Sequence, residues 1–482
     1  MTLRKTCLAT LAVVSTSLAC AQADPVLRDT VQKAMDGNPE VSSRANALRA
    51  GADGVDIARG GLLPRVELSA NAGRTEDTLR NRNPERSRLN ETGVALSVSQ
   101  LLWDGMTTRR DVDRAQRERA VRWFELSETN EQVALEAARA HFDVLRFRRL
   151  VQLAEDNYVQ HRYVHGLLSS RVKAGVGRGV DLEQAGARLA LAESNLTSES
   201  ANLHDVTARF QRVVGTPPVA GLTFSPLVAD GMAPSANDAV AAALASSPAV
   251  SAAIENLRAA RAAASASEGA YQPRVEARVR GGGGQNFDGV VDQRRDVKAE
   301  VVLAWNLFNG GADQARVRQG ANLLNQAADL RDRICRDTRQ NVSIAFSDVK
   351  KLTEQLQALD RNVLAIEKTR DAYRQQFDIG QRSLLDLLNS ENELYTARRS
   401  HADALFDLSI SHGRYLASNQ RLTRQLGLSL PVVGPAPEEF PGESADRPER
   451  CPPQAVEIQT TSRADLDARA AQLIRLAPPA AR

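Results

Sequence analysis

Aromatic residues are scarce, at 4% of the 482-residue chain, and only four cysteines occur. A small secreted fold held by a dense disulfide framework is therefore excluded. Proline is absent between Pro84 and Pro217 and between Pro273 and Pro431. Within those stretches glycine is missing too, from Met106 to His165 and from Ala321 to Ile379. Nothing there breaks a helix. Charge of one sign is also lacking. The 62 Lys and Arg stand against 59 Asp and Glu for a formal net charge of +3, interspersed rather than in runs, so no nucleic-acid partner is implied. Beyond the N-terminal segment no run of apolar residues is long enough for a transmembrane helix.

Catalytic motifs are missing as well. Gly175-Val176-Gly177-Arg178-Gly179 leads into a helix but lacks the preceding strand and the Gly-Lys-Ser/Thr of a phosphate loop, so it reads as a helix–helix turn. His161 and His165 stand one helical turn apart without an evident third ligand, short of a metal site. No Ser or Cys nucleophile motif and no zinc-protease motif is found. The chain reads as a non-enzyme with no cofactor.

What is present begins with an export signal. Arg4 and Lys5 precede an apolar stretch from Cys7 to Leu18, and Ala21-Gln22-Ala23 is a suitable cleavage site, giving a signal peptide over 1–23. Lipidation of Cys20 is the alternative; Ser17, where a lipobox wants Leu, argues against it. Cys335 and Cys451 remain after cleavage, and an oxidising compartment permits a disulfide between them or two free thiols.

The rest of the chain is written twice. Asn38-Pro39-Glu40-Val41 returns as Ser247-Pro248-Ala249-Val250, and Pro64-Arg65-Val66-Glu67 as Pro273-Arg274-Val275-Glu276. Leu102-Trp103-Asp104-Gly105 is echoed by Leu307-Phe308-Asn309-Gly310, and Gly175 with Asp181-Leu182 by Gly380 with Asp386-Leu387. The first repeat is placed at 24–233 and the second at 234–430, with a periplasmic tail at 431–482 that holds a short helix near 462–476.

Each repeat opens with a helical pattern, over about 26–60 and 236–270. Two alternating stretches follow, about 65–73 and 92–103 in the first repeat and about 274–280 and 297–308 in the second. They are separated by polar or Gly-rich loops at 74–91 and 281–296. At about ten residues each the strands are long enough to cross a bilayer when tilted. Trp103, Trp305 and Phe308 sit at one strand end, as in an aromatic girdle. An ordinary soluble hairpin is the alternative; if these are membrane strands, four cannot close a barrel and several subunits must build it. Long helical hairpins follow at 106–214 and 312–426. A helix of about 65 residues is about 100 Å long and must pack on other long helices. Val133, Ala137, Ala140 and Val144, with Phe346, Val349, Leu352, Leu356 and Leu359, give a narrow coiled-coil seam.

This order of helix, strand, loop, strand, long helix, turn and return helix, behind a signal peptide, resembles the TolC family of outer-membrane export proteins over 26–430. The most specific piece is Gly380-Gln381-Arg382-Ser383-Leu384-Leu385-Asp386-Leu387-Leu388-Asn389 with Tyr395, similar to the family's second periplasmic helical turn. The resemblance implies a mainly α fold with a small membrane β-barrel part. It further implies a homotrimer forming a twelve-stranded β-barrel in the outer membrane lipid and a periplasmic α-barrel. Implied partners are an inner-membrane ABC exporter or other pump and a periplasmic membrane-fusion adaptor, docking at tips marked by Gly175, Gly177, Gly179 and Gly380. At the periplasmic constriction, Asp386 falls on the first member of the family's Asp ring and Asn389 stands where a second Asp is found. Asp181 and Arg382 match the charged partners of the gate latch, while Phe377 replaces a tyrosine. Within the family, the stretch Arg333–Gln340 and the Cys451-Pro452-Pro453 tail resemble members serving type I secretion of large adhesins or toxins. Drug or metal efflux is the alternative, and a soluble coiled-coil adaptor, which would have one hairpin and separate β-domains, a more distant one.

Overall fold

The structure is a computed structural model that describes residues 25–78, 80, 83, 85–430, 451–454 and 461–476. The expected signal segment 1–23 and most of the tail lie outside the described residues. Helices α1 (Pro25–Gly37) and α2 (Pro39–Gly60) lead into strands β1 (Arg65–Thr78) and β2 (Arg86–Trp103), then α3 (Thr107–Lys173) and α4 (Gly179–Val214). The order then repeats: α5 (Ala236–Ser246), α6 (Pro248–Glu268), β3 (Arg274–Gln285), β4 (Arg295–Ala304), α7 (Ala312–Asp378) and α8 (Leu384–Ser418). A short α9 (Leu422–Gln425) follows, and α10 (Arg463–Leu476) lies in the tail.

Each expected opening helix is in fact two. The break falls at the repeated Asn-Pro and Ser-Pro, where the residue before proline is pushed out of helical backbone. Asn38 and Ser247 are both extended and cap the next helix, with Asn38 Oδ1 accepting from Glu40 N–H at 2.8 Å and Ser247 Oγ from Val250 N–H at 3.3 Å. The motif that revealed the repeat is thus a helix stop and start.

The strands pair in chain order, β1-β2-β3-β4, all antiparallel, leaving β1 and β4 as edges. The flanks of both expected loops turn out to be strand. The ladder between β1 and β2 runs on to Thr78↔Arg86, carried by cross-strand pairs such as Arg88–Glu76 at 3.1 Å. The glycines 281–284, expected as a flexible tip, belong to β3 and pair in register, Gly281 with Val297 and Leu96. Strand β4 ends early, at Ala304, and Trp305 leaves it to donate its indole N–H to Tyr271 O at 3.1 Å.

Helices α3 and α7 are each 67 residues long. Their Gly- and Pro-free interiors explain the length, but their surroundings differ. Twenty-three residues of α3 are buried and only seven of α7. Helix α3 lies between α2 and α6, whereas α7 has α6 on one side and nothing from its own chain in the place that α2 would occupy.

The main core sits midway along the hairpins, where α1, α5, α9 and the linker 215–235 gather around α3, α7 and α8. Phe142, Phe224 and Phe406 stack edge to face, with centroids 6.1 and 4.7 Å apart. Two carboxylates, Glu131 buried and Glu128 partly so, tie helix ends into this belt. Glu131 accepts the N–H groups of Leu422 and Thr423, both at 3.2 Å, and the Thr423 hydroxyl, so it caps α9. One turn earlier, Glu128 accepts from Gln420 Nε2 at 3.5 Å. Burial raises both carboxyls above the usual range. Smaller clusters continue down the hairpins, around Leu150 and Tyr395 and then around Val164, Leu168, Ala185, Leu384 and Leu388 near the tips.

Candidate functional site

Register sorts the sheet into two chemically different faces. Directly paired residues share a face, so Val66–Val98–Val279–Ala299 forms one rung and Leu68–Leu96–Gly281–Val297 the next. Ala277–Val301 and Val275–Leu303 extend that face, which carries no charge along these rungs. Its side chains are bare: Leu68 is 70% exposed and Val297 79%. The opposite face reads Arg65–Ser99–Arg278–Glu300 and Glu67–Ser97–Arg280–Lys298. Its charges pair along the strands, Arg274–Glu276 and Lys298–Glu300 at 2.6 Å and Arg278–Glu276 at 2.7 Å. Exposed Trp103, Trp305 and Phe308 gather where strands turn into helices. A soluble sheet buries its apolar face; this one presents it outward and keeps its charges on the other side, as a membrane barrel does.

At the far end, both hairpins turn by the same device. Gly175 has φ 75° and Gly380 φ 76°. At each, two backbone bonds close the helix: Gly175 N–H to Val172 O and Val176 N–H to Arg171 O, both 3.0 Å, and Gly380 N–H to Phe377 O (3.0 Å) with Gln381 N–H to Gln376 O (2.8 Å). These are glycine-terminated helix ends that require left-handed backbone. Gly177 meets a second constraint, since a Cβ there would lie 2.8 Å from Val172 N. Gly179 opens α4. Val176, Val180 and Ile379 stand exposed around the tips.

The sequence profile of the family described as "Outer membrane efflux protein" matches residues 30–216 and 239–427, most of the chain. The chain belongs to this family. Among relatives, the outer membrane efflux protein BepC of Brucella suis is 26% identical, covering 85% of this chain and 88% of its own. The alkaline protease secretion protein AprF of Pseudomonas aeruginosa is 23% identical over 79% and 81%. A solved membrane protein from Pseudomonas aeruginosa shares the fold with a TM-score of 0.76 at 15% identity, over 86% of this chain and 99% of that one. The protein is an outer membrane efflux channel of the TolC type, and the family consists of channels rather than enzymes.

In this family member, the residues singled out by resemblance divide. Asp386 lies in the first turn of α8, where Ser383 donates its hydroxyl to Asp386 Oδ2 at 2.8 Å and accepts Asp386 N–H at 3.2 Å. Arg382 reaches the same carboxylate at 3.5 Å. The Ser383 bond first, then the Arg382 charge, lower the Asp386 carboxyl below its usual range, so the tip keeps this charge in mild acid. Arg382 also bonds Gln376 Oε1 at 3.0 Å and lies 4.3 Å over the Tyr373 ring. Among the described residues, no ion pair within the chain joins it to Asp181. Cys335 and Cys451 are bonded, with Cα atoms 6.0 Å apart. His161 is buried and, through burial and then Arg188, its imidazole is held below the usual range; no group of three metal-ligating side chains occurs among the described residues.

Asn389 makes a contact that the resemblance did not imply. Its side-chain oxygen accepts from Arg188 Nη2 of α4 at 2.9 Å, so it ties α8 to α4. Further ties follow away from the tip, Arg399–Glu199 at 2.8 Å and Arg146–Asp407 at 2.6 Å. Sequence reading missed Arg188, because its partner is 201 residues away. It also passed over Ser383, although Ser-x-x-Asp is a legible cap signature. Replacing Arg188 with Ala removes a charge-assisted bond and should ease local opening by about 1.5–3 kcal/mol. Trypsin should then cut the purified channel at Arg178 or Arg382 at least about tenfold faster. Unchanged cleavage would show that the tie carries no load.

Proposed function

We propose that three copies of the chain form the outer-membrane duct of a type I protein secretion system, passing its cargo passively from an inner-membrane exporter to the outside. The observation that carries the duct is the two-faced sheet with two open edges. Unpaired strand edges cannot face hydrocarbon, so further copies must supply partners, and three times four strands make the twelve-stranded barrel that family membership implies. Helix α7 asks for the same neighbour: its bare side takes α2 of the next copy as α3 takes α6. Lipid meets the apolar face, and the charged face lines the passage.

Two observations support protein cargo. AprF, by name a protease secretion protein, matches four-fifths of the chain. The two segments that resemble protein-secreting members also touch, through Cys335–Cys451 and through Arg339 Nη2 donating to Pro452 O at 2.6 Å. The exposed tip residues Val176, Val180 and Ile379 offer docking points for a membrane-fusion adaptor, and an ATP-binding exporter below supplies the energy. The second reading, drug or metal efflux, is supported by the match to BepC, by name an efflux protein. Deleting the chain and assaying both surface protein and dye accumulation separates them. Loss of a secreted protein with unchanged dye retention is expected; dye accumulation with intact secretion would reject the type I reading.

We also infer that Asp181 of one copy meets Arg382 of the next at the closed tips, where Arg382 is half exposed. Arg382→Ser should raise single-channel conductance in planar bilayers several-fold. An unaltered conductance would remove the latch.

A further inference from the structure

Hairpin loops ordinarily project into solvent. The loop between β3 and β4 does not. Phe287, in its first turn, is only 1% exposed. Its ring lies on Gly93 and Gly282, neighbours on the charged face of the sheet. A Cβ on Gly93 would come within 2.6 Å of the ring, and one on Gly282 closer still. Ala95 lies buried beside them. From above, the Arg280 guanidinium covers the ring at 5.6 Å and grips Asp288 through two bonds of 2.9 and 3.0 Å. Asn286 donates to Asn90 O at 2.8 Å and accepts Asp292 N–H at 3.0 Å. Three non-glycine residues of this loop, Asn286, Asp288 and Asp292, take positive φ of 48, 54 and 60°. Such backbone persists where surrounding contacts impose it. The β1–β2 ladder beside it stays extended to Thr78 and Arg86.

Position gives the contact its meaning. Gly93 lies ten residues along β2 from the aromatic end at Trp103, and ten residues of tilted strand rise about 25 Å, the height of an apolar membrane band. The dock therefore sits at the outer end of the sheet, on the face that lines the passage. We propose that the loop Asn286–Gln293 is an inward-folded constriction at the outer mouth, held by Phe287 in its glycine cradle, that limits the size of what can pass. This rests on the duct reading above. Three copies set three loops around one exit, with the exposed Val290 and Val291 at their crests. The loop is held by one aromatic ring, the Arg280–Asp288 ion pair and the Asn286–Asn90 bond, few enough contacts for large cargo to lift it.

Ser97 lies on the charged face below the dock and serves as a reporter when changed by Ser97→Cys. Intact cells would be treated with a small membrane-impermeant thiol reagent or with a maleimide on a bulky polyethylene glycol. With the loop docked, only the small reagent should label quickly. Phe287→Ser should speed bulky labelling about tenfold, since losing a buried aromatic ring shifts a docking equilibrium by at least that factor. Gly93→Ala should do the same from the opposite side of the contact without altering the loop. Heat-resistant oligomers on gels would verify assembly of each variant. Equal labelling by both reagents with the loop docked, or no gain in assembled variants, would overturn the constriction. Failure of even the small reagent at Ser97→Cys, with labelling at Leu96→Cys instead, would overturn the duct reading beneath it.

Discussion

Backbone hydrogen bonding in hydrocarbon is the constraint on which the rest of this structure depends. Each unpaired N–H or C=O in the bilayer costs several kcal/mol, so a spanning sheet must close. One chain supplies four strands with apolar residues on one face and charges on the other, and leaves the outer edges of β1 and β4 unpaired. The sheet is stable in a membrane only when other copies complete the ladder. The chain is a fraction of a wall.

The helices obey the same logic. A helix of 67 residues cannot fold its apolar stripe into a compact core. It needs long neighbours, and the duplication supplies them. Helix α3 packs on the opening helices of both repeats, α2 and α6, while its counterpart α7 packs on α6 without α2. The imbalance in burial therefore places the missing neighbour at the chain boundary, on the same side as the open strand edge. The mid-length belt of aromatic stacking and capped helix ends, centred on Phe142, Phe406 and Glu131, holds the repeats of a single chain together. Below it, tie points such as Arg188–Asn389 join the two hairpins of one chain, so opening at the tips must move hairpins as pairs or break these ties.

Much of this was legible in the sequence because it is periodic or local. Missing proline and glycine marked α3 and α7; alternation marked the strands; Gly175 and Gly380 marked the turns. Where reading failed, the deciding term was non-local or backbone-based. Residues 74–91 read as a polar loop because strands in contact with water need only backbone pairing and cross-strand charge, not apolar alternation. The glycines 281–284 read as a flexible tip because their strand partners are distant in sequence and the Phe287 ring on Gly282 lies beyond them. The Arg188–Asn389 tie was not legible at all, since Arg188 lies on another helix 201 residues away. Local rules found elements, and contacts between distant segments decided what the elements do.

The central claim is that β1 of one copy pairs with β4 of the next. It is tested most directly by cysteine cross-linking in outer membranes, with Val301→Cys on β4 combined in turn with Val66→Cys, Leu68→Cys or Ala70→Cys on β1. Oxidation should give covalent dimers and trimers for at least one register and nothing larger. Absence of cross-links in every combination, or a ladder extending beyond three copies, would contradict the closed three-copy barrel.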